Sequence, residues 1–206
     1  MQETDPAVIR AAMAGDLAAF EQVVRQHQQS VWRFLRRLLG DAATAEDVTQ
    51  ETFLRVHRRL PTYRFRSSFT AWVFQIARNA GIDELRARAR RDRLPRALAT
   101  TSGGTSTSTG RTGEARVEID AALATLPVDL REALLLVEVL GLRYTEAASV
   151  LSVPVGTVKS RVFTARLRLA AWARAGEDEG GGVDARDAAA RAGRAARRRG
   201  EAGDEV

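Results

Sequence analysis

Cysteine is absent from this 206-residue chain, which excludes a disulfide framework and a thiolate metal site. Histidine is almost absent too. His27 and His57 are the only two, they fall on separate predicted helices, and they are too few for a His-rich metal centre. Aromatic residues make up only 6%, so cores built mainly of Leu, Val and Ala are expected. The period-two alternation of strands is nearly missing, and no apolar run approaches the length that crosses a bilayer. The opening residues MQETDPAVIR carry no apolar signal core. No phosphate-cradling glycine motif and no nucleophile–base pair stands out. These gaps point away from an enzyme, a cofactor and membrane insertion, and toward a cytoplasmic protein.

What the chain does have is helix-forming apolar residues and positive charge. Hydrophobic residues reach 45%, the formal net charge is +6 and the pI is near 10.9. A basic balance favours a polyanionic partner. Arg- and Ala-rich composition also follows from GC-rich coding, so the arrangement of the charges has to decide.

Two composition breaks organise the sequence. Residues 94–116 include LPRALATTSGGTSTSTGRTGE, which is poor in large apolar side chains and reads as a flexible linker. Residues 176–206 lack core-forming residues and read as a disordered tail. Two compact segments remain, 1–93 and 117–175, and both carry helical periodicity. The expected fold class is therefore all-α, two small helical domains joined by a linker. In the first, Asp5-Pro6 opens a short helix. Phe20, Val24, Val31, Leu35 and Leu38 mark a second helix up to Gly40-Asp41. A third runs from about Thr44 to Leu60, and a long one from about Ser68 to Arg91, with Phe69, Val73, Ile76 and Ala80 as its buried stripe. The second segment offers helices near 117–125, 128–140, 145–151 and 155–173.

The last two of these make a helix-turn-helix across Ser-Val-Pro. Val158, Val162, Ala165 and Leu169 share one side, toward a preceding helix whose Ala147 and Ala148 permit close approach. Gly156, Ser160, Phe163 and Thr164 face away, flanked by Thr157 and Arg161 on one side and by Lys159, the chain's only lysine, on the other. Short polar groups in front and long cations beside them suit a reader of the major groove, and the helix N-terminus adds partial positive charge. The stretch YTEAASVLSVPVGTVKSRVFTARLRL resembles the promoter-reading helix-turn-helix of bacterial sigma factors of the extracytoplasmic-function (ECF) class. Gly156 to Arg161 carries the likeness most closely. Ser152 stands at the turn position where that family usually has Gly, and Phe163-Thr164 replaces a common His-Arg pair.

A second constellation lies in AEDVTQETFLRVHRRL, Ala45 to Leu60. Val48, Thr52, Phe53, Val56 and Leu60 share the apolar side, while Asp47, Gln50, Glu51, Leu54 and Arg58 share the other. Carboxylates repel phosphate, so this face suits a basic protein partner, with Leu54 as an apolar anchor. Asp-x-x-Gln-Glu-x-Phe is similar to the sigma segment that docks on the clamp helices of the RNA polymerase β′ subunit. The resemblance makes Asp47, Gln50, Glu51 and Leu54 the implied polymerase contacts and Phe53 a packing residue.

In YRFRSSFTAWVFQIARNAGIDELRARARR, Asn79, Asp83, Arg86 and Arg90 share one helix side and could read exposed base edges while holding a backbone. Asp83 could equally pair with Arg86 along the helix. The preceding loop mixes aromatic and basic groups, Tyr63, Arg64, Phe65 and Arg66, suited to stacking and phosphate contact. This stretch resembles the ECF sigma segment that captures the non-template strand of the −10 element. Trp72 reads as core.

The resemblance covers about residues 8–92 and 117–172. It implies a sigma factor that directs core RNA polymerase, through its β′ clamp and β flap, to promoter DNA. Residues 1–93 would bind polymerase and open the −10 element, with Tyr63, Arg66, Asn79, Asp83 and Arg86 on the strand. Residues 117–175 would read the −35 duplex with Thr157, Lys159, Ser160, Arg161 and Thr164. A monomer without a small-molecule substrate follows. An anti-sigma factor is a common partner in that class, and nothing in the chain identifies one. The rival reading is a stand-alone helix-turn-helix transcriptional regulator, which leaves the acidic-Gln face idle. The tail is an inert extension, a regulatory arm or a polyanion contact through Arg194, Arg197, Arg198 and Arg199.

Overall fold

The computed structural model describes residues 3–93 and 111–180, with side chains from 3–92 and 118–175. Most of the linker and the arginines from Arg194 onward lie outside the described residues. Among the described residues all regular structure is helical.

Each early helix starts where a side chain can satisfy its free N–H groups. Asp5 caps α1 (Pro6–Met13) and accepts from the Ala7 N–H at 2.7 Å. Asp16 caps α2 (Leu17–Leu39), accepting from Ala18 and Ala19 at 2.8 and 3.1 Å. Asp41 caps α3 (Ala42–Arg59) through the Thr44 N–H at 2.7 Å, and its bonding to Thr44 holds its carboxyl below the usual range. Between α2 and α3 the chain reverses at Gly40, whose φ of 79° is the left-handed region that glycine enters without a Cβ penalty. A 3-10 turn, Leu60–Thr62, forms around Pro61 and ends α3. The long helix α4 (Phe69–Arg93) follows.

Helices α1 to α4 bury one core. Val23, Val31, Phe34, Leu35 and Leu38 of α2 meet Phe69, Val73, Phe74 and Ala77 of α4, all fully buried. Phe34 and Phe74 make an edge-to-face pair with ring centres 5.8 Å apart. Each such aromatic or leucine contributes about 1.5–3 kcal/mol by burial. Gly81 lets α4 approach α2 closely, since a Cβ there would come within 2.9 Å of Leu38 Cδ2 and 3.0 Å of Leu35 Cδ2. In α2 the buried stripe runs through Ala19, Val23, His27 and Val31, with Phe20 and Val24 only half-buried at its edge. A fully buried histidine inside the stripe hid its true phase.

The second helical segment begins with α5 (Arg111–Ala124), earlier than the expected linker end at 116. Glu114, Ala115 and Arg116 are strong helix formers and outweigh the nearby Gly113. α6 (Val128–Leu134) continues into a π-helical turn, Leu135–Val139, where an α-helix to 140 is expected. The turn keeps Leu135 and Leu136 fully buried while the chain bends toward Gly141. Then come α7 (Tyr144–Leu151) and α8 (Val155–Gly180), which passes the expected end near 173.

Among the described residues, those up to Arg166 belong to one compact unit and residues 167–180 to a second. Inside the first unit α4 packs on α7, and α2 on α6 and the π turn. Arg131 donates to the carbonyls of Leu38 at 3.0 Å and of Ala124 and Leu126 at 2.9 and 3.0 Å. Arg36 pairs with Asp120 at 3.3 Å.

Candidate nucleic-acid interface

The turn before α8 is built by local chemistry. Glu146, in the first turn of α7, reaches back to the Arg143 N–H at 2.9 Å and fixes the entry of that helix. α7 ends at Ser152, whose φ and ψ of 56° and 43° are left-handed. The departure from Gly at this position therefore carries backbone strain. Pro154 then opens α8, its carbonyl accepting from the Thr157 N–H at 2.9 Å. Val158, Val162 and Ala165 are fully buried, so the outward side of α8 is the expected one. Gly156, Lys159, Ser160 and Phe163 are exposed, while Thr157 and Thr164 are half-buried at the edge.

Arg161 behaves differently from its neighbours. Its Nε lies 3.5 Å from Asp129 Oδ2 and its Nη1 3.9 Å from Glu132 Oε1, and the side chain is 24% exposed. It ties α8 to α6 as well as flanking the outer face.

On α3 the two-sided pattern is borne out. Val48, Thr52, Phe53, Val56 and Leu60 are buried, whereas Asp47, Gln50, Leu54 and Arg58 are exposed. Glu51 is half-buried and accepts from Arg55 Nε at 2.8 Å.

The loop before α4 holds an aromatic cluster. The Tyr63 ring is buried against Phe65, Phe69 and Trp72, with centres 4.8, 5.2 and 5.1 Å away. Its hydroxyl donates to the Ser67 carbonyl at 2.6 Å, and burial raises its pKa above the ordinary value. Tyr63 therefore shapes the loop from within, and Phe65 is the aromatic that faces outward. Phe65 is 44% exposed at a φ of 54°, a strained backbone for a bulky side chain, and the Arg10 guanidinium lies 5.8 Å from its ring centre. Trp72 packs on Tyr63 and Phe69 and is half-buried, in keeping with a core role. Arg66 is exposed. The Glu3 carboxylate accepts from the Phe69 N–H and so caps α4 from the other end of the segment.

Asn79, Asp83, Arg86 and Arg90 are exposed along one side of α4. Asn79, Asp83 and Arg86 line a cleft of about 310 Å³ with Arg55 and Arg59 of α3 and Arg78. Of its four guanidinium groups, Arg78 is held by Glu132 and Arg55 by Glu51 and Asp83. Arg59 and Arg86 face the cleft beside an amide and a carboxylate, a lining suited to an anionic chain with polar edges to read. Asp83 is held by Arg55 Nη1 at 3.1 Å and not by Arg86. Arg55, Arg59 and Arg78 escape a reading of single helices because the cleft forms only when α3 and α4 pack side by side. Among the described residues no group of acidic or histidine side chains could hold a metal ion.

Two family comparisons match this chain, Sigma-70 region 2 over residues 23–91 and Sigma-70 region 4 over residues 116–169. The chain is 40% identical over 164 residues to the probable RNA polymerase sigma-C factor of Mycobacterium bovis, covering 80% of this chain and 88% of that one. It is 36% identical over 176 residues to the RNA polymerase sigma-H factor of Pseudomonas aeruginosa, covering 80% and 91%. Among solved structures it resembles CnrH in complex with the cytosolic domain of CnrY, with a TM-score of 0.64 and 25% identity over 82% of this chain and 96% of that one. It also resembles the sigma factor RpoE of Bartonella quintana bound to the anti-sigma factor NepR, with a TM-score of 0.60 and 27% identity over 73% and 93%.

Proposed function

This chain belongs to the ECF branch of the sigma-70 family, and from that premise we propose that it directs core RNA polymerase to particular promoters and starts transcription there. The observation that carries the reading is the outer face of α3. It presents Asp47, Gln50 and Leu54 to solvent on a helix whose opposite side is buried. An acidic and amide face on a chain of net charge +6 repels DNA and attracts a basic protein surface, as a stand-alone duplex reader has no need to do.

Residues 1–93 bind polymerase through α3 and capture the opened −10 strand in the cleft between α3 and α4. Phe65 offers a ring for a displaced base, and Arg66, Arg86 and Arg59 hold phosphates. Extruding a base loses a few kcal/mol of stacking, which contacts in the loop and cleft recover. The helix-turn-helix reads the −35 duplex, with Lys159 and Ser160 nearest the bases and phosphates. The bond-making is the polymerase's. The place of work is the cytoplasm, and an anti-sigma factor of the kind seen with the structural relatives is a fitting regulator.

The test is run-off transcription by purified core polymerase supplied with this chain on a library of promoter fragments. Asp47→Arg combined with Leu54→Ala should abolish initiation while leaving thermal unfolding unchanged. Normal initiation by that variant would refute the docking face. Selective operator binding by the isolated chain without polymerase would favour the stand-alone regulator.

A further inference from the structure

Arg55 stands between the two surfaces just described. It lies on α3, yet it is not on the exposed polymerase face. Its guanidinium uses Nε to hold Glu51 at 2.8 Å and Nη1 to hold Asp83 Oδ2 of α4 at 3.1 Å. With only 30% of its side chain exposed, it lines the cleft together with Asp83. Two charge-assisted bonds to groups on different helices fix the plane of the guanidinium. Both partners favour its charged form, Glu51 most strongly.

A surface ion pair of this exposure adds at most about 1 kcal/mol to stability, so folding gives little reason for the arrangement. Its effect on Asp83 is larger in consequence. Asp83 is the one carboxylate lining a cleft of arginines, where a phosphate chain would otherwise be repelled by it. Arg55, whose charge Glu51 shares, offsets part of that charge and occupies one of the two carboxylate oxygens. The other oxygen remains as a single, oriented acceptor. A carboxylate acceptor discriminates in favour of the bases that carry an exocyclic amine, cytosine, adenine and guanine, and against thymine, which carries none.

We propose that Arg55 is a positioning residue for strand reading: anchored by Glu51, it orients Asp83 and offsets part of its charge so that α4 selects an amine-bearing base in the opened strand. This inference rests on the functional reading above.

The experiment uses holoenzyme assembled from core polymerase and the full chain, with a pool of single-stranded oligonucleotides randomised over eight positions and sequenced after capture. Wild type should enrich an amine-bearing base (cytosine, adenine or guanine) over thymine about tenfold at one position, the size expected of one charge-assisted hydrogen bond. Asp83→Asn and Arg55→Gln should each lose that enrichment, the double variant should lose no more than either, and Arg55→Lys should restore part of it. Affinity for core polymerase should stay within twofold in all four. Enrichment that survives in Arg55→Gln, or losses that add in the double variant, would overturn the assignment while leaving the sigma reading intact. A wild-type holoenzyme with no base preference at any position would overturn both.

Discussion

Glu132 accepts from Arg78 at both carboxylate oxygens, 2.9 Å from Nε and 3.0 Å from Nη2, and so fastens α6 to α4. The carboxylate is 2% exposed and the guanidinium 24%. Arg161 approaches the same carboxylate from α8, leaving Glu132 with a cation on either side. Removing one partner of a buried pair leaves the other charge without compensation. Here both arginines reach water, which reduces the penalty. Glu132→Gln should therefore destabilise the chain by about 2 kcal/mol, below the 3–5 kcal/mol of a fully buried pair. Urea-unfolding midpoints compared with wild type measure it. An unchanged midpoint would mean that the contact between α4 and α6 contributes nothing to folding.

His27 supplies a pH test. It is fully buried, its Nε2 lies 2.8 Å from Thr4 Oγ1, and Nδ1 has no partner. Thr4 Oγ1 also donates to Gln26 Oε1 at 3.0 Å, so the hydroxyl sits between the amide and the ring. Burial lowers the pKa from 6.5 to about 4, with Glu3 opposing the shift. The folded state thus keeps the ring neutral where the unfolded chain binds a proton. Stability should hold steady above pH 6.5, fall as the pH drops from 6.5 toward 4, and level off below. The loss is about 3 kcal/mol over that window. Subtracting the profile of His27→Gln from wild type removes the carboxylates that titrate nearby. A flat difference would refute the assignment.

How much of this was legible beforehand depends on how local the cause is. Caps at Asp5, the break at Gly40 and the two faces of α3 follow from residue types a few positions apart, and the structure carries them. The strain at Ser152 follows likewise, because a helix that must turn sharply needs a left-handed residue whichever side chain is there. His27 misled, since a polar type in a buried stripe shifts the inferred phase toward Phe20 and Val24. The π turn left no trace, because Leu134, Leu135 and Leu136 fit an α-helix equally well. The pairs Arg55–Asp83 and Arg78–Glu132 join residues 28 and 54 positions apart, which no helical period reports. The company of arginines suits Tyr63 to stacking on a strand, and only the packing of Phe69 and Trp72 around it buries the ring.

Ser152 also yields a gain. A non-glycine residue at a φ of 56° resists the left-handed region, and Ser152 is exposed, so a smaller residue leaves no hole. Ser152→Gly should raise stability by about 0.5–1 kcal/mol, the relief of strain being partly offset by the freer unfolded chain. Ser152→Val, with a branched Cβ, should lower it. Thermal melts of the three proteins settle the order. Equal melting temperatures would indicate that the turn relaxes to another conformation when strained.

Lys159 and Arg161 sit two residues apart on α8 and should fail in different ways when changed. Lys159 is exposed with its charge directed to solvent, and in the proposed reading of the −35 duplex it meets a phosphate, with counterions released on binding. Lys159→Ala should weaken holoenzyme binding to promoter duplex evenly across sequences and flatten the plot of log affinity against log salt by about 0.9, leaving unfolding untouched. Arg161 is bound to Asp129 and Glu132 on the inner side. Arg161→Ala should cost about 0.5–1 kcal/mol of folding stability, since Arg78 still holds Glu132 and Asp129 is half exposed, and should leave the salt slope as it was. Arg161→Lys keeps the charge but not the fork, and should recover only part of the loss. If Arg161→Ala instead flattens the salt slope as much as Lys159→Ala does, its guanidinium exchanges its carboxylates for a phosphate on DNA. The ion pairs to α6 would then belong to the unbound chain alone.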